Sequence, residues 1–141
     1  MINKVILIGR LGKDPELRYI NTGETQRAIA SFPLATHELV SDKNGGKTEY
    51  TEWHNIELWD RNAENAAKIL KKGRIVYLEG KIKSESWIDK DETKRYSTKI
   101  KAKMFQVLST LGGNNSKNND ASDVNSSDIE FDESDFEFDN D

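Results

Sequence analysis

Along most of the chain apolar and polar residues alternate with a period of two. Val5-Ile6-Leu7-Ile8 is a short apolar run stopped by Gly9 and Gly12. From Gln26 to Thr36 the pattern puts Ala28, Ala30, Phe32 and Leu34 on one face of a predicted strand. Asn44-Gly45-Gly46 is a turn signal, and alternation resumes from Tyr50 to Asp60. The rhythm then changes. Between Asn62 and Lys71, residues Ala63, Ala66, Ala67 and Leu70 fall at helical spacing, Lys71 and Lys72 stand at the end, and Gly73 is the expected cap. Ile75 to Ser86 predicts a fourth strand, Asp89-Lys90-Asp91-Glu92 a turn, and Arg95 to Leu108 a fifth strand.

The predicted order is three strands, one short helix, two strands, mostly antiparallel. This is an all-β chain with one helix. A five-stranded Greek-key barrel with the helix between strands three and four is the OB-fold arrangement, although another small barrel fits the same pattern. The OB-fold reading predicts a binding face across strands two and three. The loops joining strands one to two and four to five flank it.

The tryptophans conflict with a simple core. In Trp53-His54-Asn55-Ile56-Glu57-Leu58-Trp59, alternation gives Ile56 and Leu58 to one face and Trp53, Asn55, Glu57 and Trp59 to the other. A core takes the first set, and two tryptophans sharing a face with an amide and a carboxylate suggest partial exposure of the second. Trp87 falls opposite Val76, Leu78 and Ile82, next to a turn. A flat ring on a polar face can stack on any nucleic-acid base without regard to sequence, and lysines between such rings can follow phosphates. Lys72, Lys81, Lys83, Lys99, Lys101 and Lys103 are placed for that. The plainer reading is that the rings fill a second small core or a subunit interface. Three tryptophans with interleaved lysines favour stacking.

Charge sharpens this picture. The net charge of -4 divides into +5 over residues 1–111 and -9 over residues 112–141. A basic body with an acidic tail suits a polyanionic partner. Residues 1–111 are the expected folded domain. From Gly112 the chain reads Gly-Gly-Asn-Asn-Ser-Lys-Asn-Asn-Asp, too polar to build a core, so 112–127 is an expected disordered linker. Residues 128–141 set Phe131, Phe136 and Phe138 among carboxylates that include Asp135 and Asp139. Alternating acidic and apolar residues suit a peptide that docks in an apolar pocket rimmed by basic side chains.

Other chemistries find little support. The chain has no cysteine, so it has no disulfide framework and no thiolate metal site. His37 and His54 lack metal-ligand spacing, and no cofactor is expected. Gly46-Lys47-Thr48 resembles the end of a phosphate-binding loop. The motif requires glycine where Ser41 stands, and a helix where a strand is predicted. No carboxylate pair or activated nucleophile can be singled out, so no enzyme is expected. No apolar run approaches a membrane span and no leader is evident, which places the chain in the cytoplasm.

Several motifs together carry a resemblance. Asn3-Lys4-Val5-Ile6-Leu7-Ile8-Gly9, Leu11-Gly12-Lys13-Asp14-Pro15-Glu16 and Arg18-Tyr19 are similar to the opening of bacterial single-stranded DNA-binding proteins. Thr51-Glu52-Trp53-His54, Leu70-Lys71-Lys72-Gly73, Val76-Tyr77-Leu78-Glu79-Gly80 and Trp87 follow in family order. The resemblance implies an OB-fold homotetramer that wraps single-stranded DNA at the nucleoid during replication, recombination and repair. It assigns stacking to Trp53, Trp59 and Trp87, basic contacts to Lys72 and Lys83, and a subunit contact to His54. It also implies that the acidic tip recruits replication and repair proteins. The chain departs from the family at Val40, where tryptophan is frequent, and at Asn55, Glu85 and Ser86, where basic residues are frequent. Its end also lacks the usual proline-phenylalanine pair. A runner-up reading is an OB-fold interaction adaptor of the replication-restart machinery.

Overall fold

The protein was analysed as a computed structural model that describes residues 1–108. Six strands and one helix follow in the order β1 (Val5–Leu11), β2 (Glu16–Thr22), β3 (Thr25–Ser41), β4 (Lys47–Trp59), α1 (Asp60–Ile69), β5 (Ile75–Ile88) and β6 (Lys94–Val107). The sheet runs β1-β5-β6-β4-β3-β2, and β1 also pairs with β3 through Arg10–Ala35 and Leu11–Leu34. That second pairing closes β1, β5, β6, β4 and β3 into the five-stranded barrel of the OB-fold. β4 and β6 meet in parallel at Ile56–Ile100 and Glu57–Lys101. Among the described residues, no helix is long and apolar enough to cross a membrane.

The interior follows the alternation. Ala28, Ala30, Phe32 and Leu34 of β3 meet Ile56 and Leu58 of β4, Val76 and Leu78 of β5, and Ile100 and Ala102 of β6. Ala63, Ala66 and Leu70 bring α1 onto this core, packed chiefly against β3 and β4. Small side chains at the first two positions allow the helix to sit close to the barrel. Burial of apolar surface contributes about 25 cal/mol per Å², so these side chains supply the main stabilising term.

Four local expectations are corrected. An additional strand, β2, pairs with β3 over seven positions from Glu16–Ser31 to Thr22–Thr25. Only Leu17 and Ile20 of β2 are partly covered, so its backbone ladder sustains it and its apolar pattern does not announce it. The gap left between the alternating segments that end at Thr36 and resume at Tyr50 shrinks to residues 42–46. The strands continue as a hairpin arm, and the Asp42 carboxylate accepts the amides of Asn44 and Gly46 at the turn. The helix begins and ends earlier than predicted. Leu70 already has an extended backbone, and Gly73 belongs to the turn that follows, where the Arg74 amide donates to the Lys71 carbonyl. Ile82, expected in the core, is 51% exposed, because the β5–β6 hairpin projects beyond the barrel end.

The β5–β6 ladder also carries a bulge. Glu79 pairs with Met104 and Gly80 with Ala102, so Lys103 is skipped. This inverts the alternation of β6, turning Phe105 and Val107 toward the core beside Ile100 and Ala102. A Cβ on Gly80 would lie 2.3 Å from the Lys101 carbonyl oxygen, so the close approach of the two strands there requires glycine.

Candidate nucleic-acid interface

Opposed residues of a β-ladder share a face, so register defines the outer surface. On β4 the outward residues are Trp53, Asn55, Glu57 and Trp59, opposed on β3 by Ala35, Pro33, Ser31 and Ile29. On β6 they are Arg95, Ser97, Lys99 and Lys101, opposed on β5 by Trp87, Glu85, Lys83 and Lys81. The β4–β6 contact joins the two halves, so all three tryptophans belong to one face that crosses β3, β4, β6 and β5. A groove of about 470 Å³ opens on it, lined by residues that include Lys13, Arg18, Pro33, Asn55, Ser97 and Lys99.

The three rings are held differently. Trp53 is 58% exposed and Trp87 50% exposed. A Cβ on Gly12 would lie 2.4 Å from Cζ3 of Trp53, so glycine makes room for this ring against the end of β1. Trp59 is half-buried, in keeping with the partial exposure that the alternation predicts. The Arg27 guanidinium and the Lys101 ammonium each lie 4.5 Å from its ring centroid. Cations over an indole face are attracted by its quadrupole, so these faces are engaged while Trp53 and Trp87 stand free. Arg27 is fixed by two hydrogen bonds to Asp60, of 3.0 and 2.6 Å, at the corner where β4 turns into α1. Hydrogen bonding from Arg27 holds the Asp60 carboxyl below the ordinary aspartate range.

Glu57 is the largest departure from expectation. Alternation assigns it to the outer face, yet it is only 4% exposed. Its carboxylate accepts the Trp59 indole N–H at 2.6 Å and the Lys99 ammonium at 3.0 Å. Lys99 also reaches Glu85 at 3.0 Å, and Glu85 holds Lys83 at 3.1 Å. The lysine predicted at Lys83 is therefore on the correct face but faces a carboxylate. The centre of the face is nearly neutral, with Lys83 and Lys99 offset by Glu57 and Glu85.

Lys72 arrives from the far side. Its backbone amide donates to Asp14 at 2.7 Å, which ties the turn after α1 to the β1–β2 connection beside Gly12 and Trp53. His54 is half-buried on the opposite face of β4, its Nε2 2.9 Å from the Thr36 hydroxyl. Val40 is exposed on the hairpin arm opposite Thr48, and alternation puts it on the His54 side and not the Trp53 side. The tip residues Phe131, Asp135, Phe136, Phe138 and Asp139 lie outside the described residues.

The model of the single-strand binding protein family matches residues 2–108. The chain belongs to the single-strand binding protein family. Single-stranded DNA-binding proteins of Neisseria meningitidis, from serogroups A and B, are 48% identical over 114 residues. That is 81% of this chain, and the chain spans 62% of the length of these curated relatives. Among solved structures, the Plasmodium falciparum SSB in complex with ssDNA superposes with a TM-score of 0.68 at 31% identity. The match covers 77% of this chain and 97% of that one. A deletion mutant of the single-stranded DNA binding protein from Thermus aquaticus gives 0.67 at 30% identity, covering 79% of this chain and 52% of that one. Family membership and the barrel thus agree with the reading of the sequence.

Lys99 holds the middle of the face together, and its pH dependence follows. Burial by itself lowers the pKa of its ammonium, but the hydrogen bonds to Glu57 and Glu85 outweigh burial and the net shift is upward. A raised folded pKa means that the pair contributes fully below the ordinary lysine value of 10.5 and is lost as pH rises through the folded value. Glu85 is displaced the other way, first by Lys99 and then by Lys83, so its contribution is present above the ordinary value and lost as pH falls. Lys99→Met is expected to lower stability by about 1–3 kcal/mol in urea melts at roughly neutral pH, because Glu57 loses its charged donor. The penalty should shrink above the ordinary lysine pKa. A penalty that is absent at neutral pH, or that grows in alkali, contradicts the assignment.

Proposed function

We propose that this protein binds and protects single-stranded DNA without sequence preference and catalyses no reaction. The observation that carries this reading is the sharing of one outward face by Trp53, Trp59 and Trp87 across β4, β6 and β5. Trp53 and Trp87 offer open rings on which bases stack, while Trp59 is reached once a strand competes with Lys101 or Arg27 for its faces. Lys72 and Lys83 neutralise phosphates, the latter after release from Glu85. The printed descriptions of the relatives, which name single-stranded DNA, support the same substrate. Replication, recombination and repair at the nucleoid are the settings in which such a coat is used. Titration of tryptophan fluorescence with oligothymidine, duplex DNA and RNA tests the reading. Oligothymidine should quench, and Trp53→Ala and Trp87→Ala should each weaken binding by about 1–3 kcal/mol. Parental affinity in both variants would overturn it.

The protein acts as a homotetramer in this reading. Ile6 and Ile8 of β1 are exposed, and Tyr77 and Met104 extend this apolar patch onto β5 and β6. Such a patch on a small domain suits a self-complementary contact. His54 lies on a different strand and serves a second contact. Light scattering at micromolar concentration should give the mass of four chains for the parent and a smaller mass for Ile6→Lys with Ile8→Lys. His54→Tyr should loosen the assembly. A monomeric parent excludes it.

The acidic tip recruits replication and repair proteins, with Phe131, Phe136 and Phe138 as anchors and Asp135 and Asp139 as charged flanks. Because Asp139-Asn140-Asp141 follow Phe138, the partner's pocket must accept an internal phenylalanine. Deleting residues 128–141 should leave DNA binding equal or tighter and abolish recovery of those enzymes in pull-downs from the native host. Equal recovery with and without the tip makes it a solubility device.

A further inference from the structure

Around the bulge of β6, four lysines converge on one cleft. It has a volume of about 470 Å³ and is lined by Asn3, Lys4, Glu79, Lys81, Lys101 and Lys103, with Gly80 and Ala102 at its floor. The fold builds this cleft deliberately. The Asn3 side chain donates to the Ile82 carbonyl and accepts the Ile82 amide, both at 3.0 Å, and so pins the chain start along β5 with Lys4 beside it. Gly80 admits the close contact with β6 that its bulge requires. The bulge residue Lys103 has its carbonyl taken by the Asn62 side chain at 2.8 Å, which fixes the backbone from the helix side.

Charge here is not balanced as it is at the centre of the face. Glu79 is the one carboxylate of the cleft, and it is taken by Lys4 at 3.2 Å and by the Tyr77 hydroxyl. Among the described residues neither Lys81 nor Lys103 has a carboxylate within ion-pair distance, although the field of Lys103 reaches Glu79 and, after the hydrogen bonds from Tyr77 and Lys4, helps to hold its carboxyl below the ordinary range. Lys101 has its ammonium over Trp59, so it belongs to both the cleft and the tryptophan face. Between the tryptophans, by contrast, Lys83 and Lys99 are held by Glu57 and Glu85. A polyanion that stacks on the rings finds an excess of positive charge at this flank, four lysines against one carboxylate.

We propose that Lys81, Lys101 and Lys103, along this cleft, form a phosphodiester-binding site that takes up the backbone of a single strand beside Trp59. The inference rests on the reading of this protein as a single-strand binder and adds a path to it. The stacking rings and the main phosphate contacts are separate surfaces, hinged at Lys101. Displacement of Lys101 from the indole toward a phosphate frees one face of Trp59 for a base, so occupation of the cleft and stacking at Trp59 reinforce each other.

The test compares the full-length parent with the double variant Lys81→Gln, Lys103→Gln and with the charge-preserving Lys81→Arg, Lys103→Arg. Each is titrated with oligothymidine at several salt concentrations, followed by tryptophan quenching and by anisotropy of a labelled strand. Both lysines are exposed, so circular dichroism should match the parent. Each lost phosphate contact lowers the slope of log affinity against log salt by about 0.7 for a single strand, so the glutamine variant should lose about 1.4. At low salt its affinity should fall on the order of tenfold, while quenching at saturation persists because Trp53 and Trp87 are untouched. The arginine variant should keep the parental slope. A parental slope and affinity in the glutamine variant overturn the cleft as a phosphate site and leave the stacking reading intact. Failure of the parent itself to bind by either signal overturns both.

Discussion

The outer face depends on the short parallel contact between β4 and β6. Ile56 and Ile100 meet on its inner side and share the core. On its outer side Glu57 is covered by Lys99 and by the Trp59 indole. This seam closes the barrel and joins the strand of Trp53 and Trp59 to the hairpin of Trp87. A buried carboxylate is costly unless fully paired, and here the ammonium and the indole N–H both serve it. The ion pair therefore also fixes the orientation of Trp59.

From that seam follows a division of labour among similar residues. Trp53 rests against Gly12 and Trp87 stands near the end of a projecting hairpin, so both present free surface. Trp59 is enclosed by Arg27 and Lys101, and Arg27 in turn is anchored by Asp60 at the strand-to-helix corner. The lysines divide in the same way. Lys99 is structural, Lys83 is held by Glu85, and Lys81 and Lys103 have no carboxylate within ion-pair distance among the described residues. The face thus has carboxylates at its centre and an excess of lysines at its flank.

Much of this was legible in the sequence because a strand's alternation directly reports its faces. The inward sets of β3, β4 and the first half of β5 were read correctly, as were the turn at Asn44-Gly45-Gly46 and the turn at Asp89 to Glu92. The outward placement of Trp53 and Trp87 came from the same rule. β2 escaped because it is sustained mainly by hydrogen bonds to β3, with only Leu17 packed against the core and no alternating apolar face. Ile82 was misassigned because alternation tells which side a residue faces and not whether anything lies there to cover it.

The sequence by itself determined most of the inward and outward sets, the existence of one helix between strands, the basic body and acidic tail, and the outward placement of Trp53 and Trp87. These are local properties, fixed by the periods of strand and helix and by composition. Tertiary structure alone decided which outward residues meet. Glu57 and Lys99 are forty-two positions apart, Arg27 and Asp60 thirty-three, and Asn3 and Ile82 seventy-nine. No periodicity links such pairs. Barrel closure and the skipped residue Lys103 bring them together, and with them come the burial of a carboxylate among the tryptophans and the gathering of four lysines at one flank.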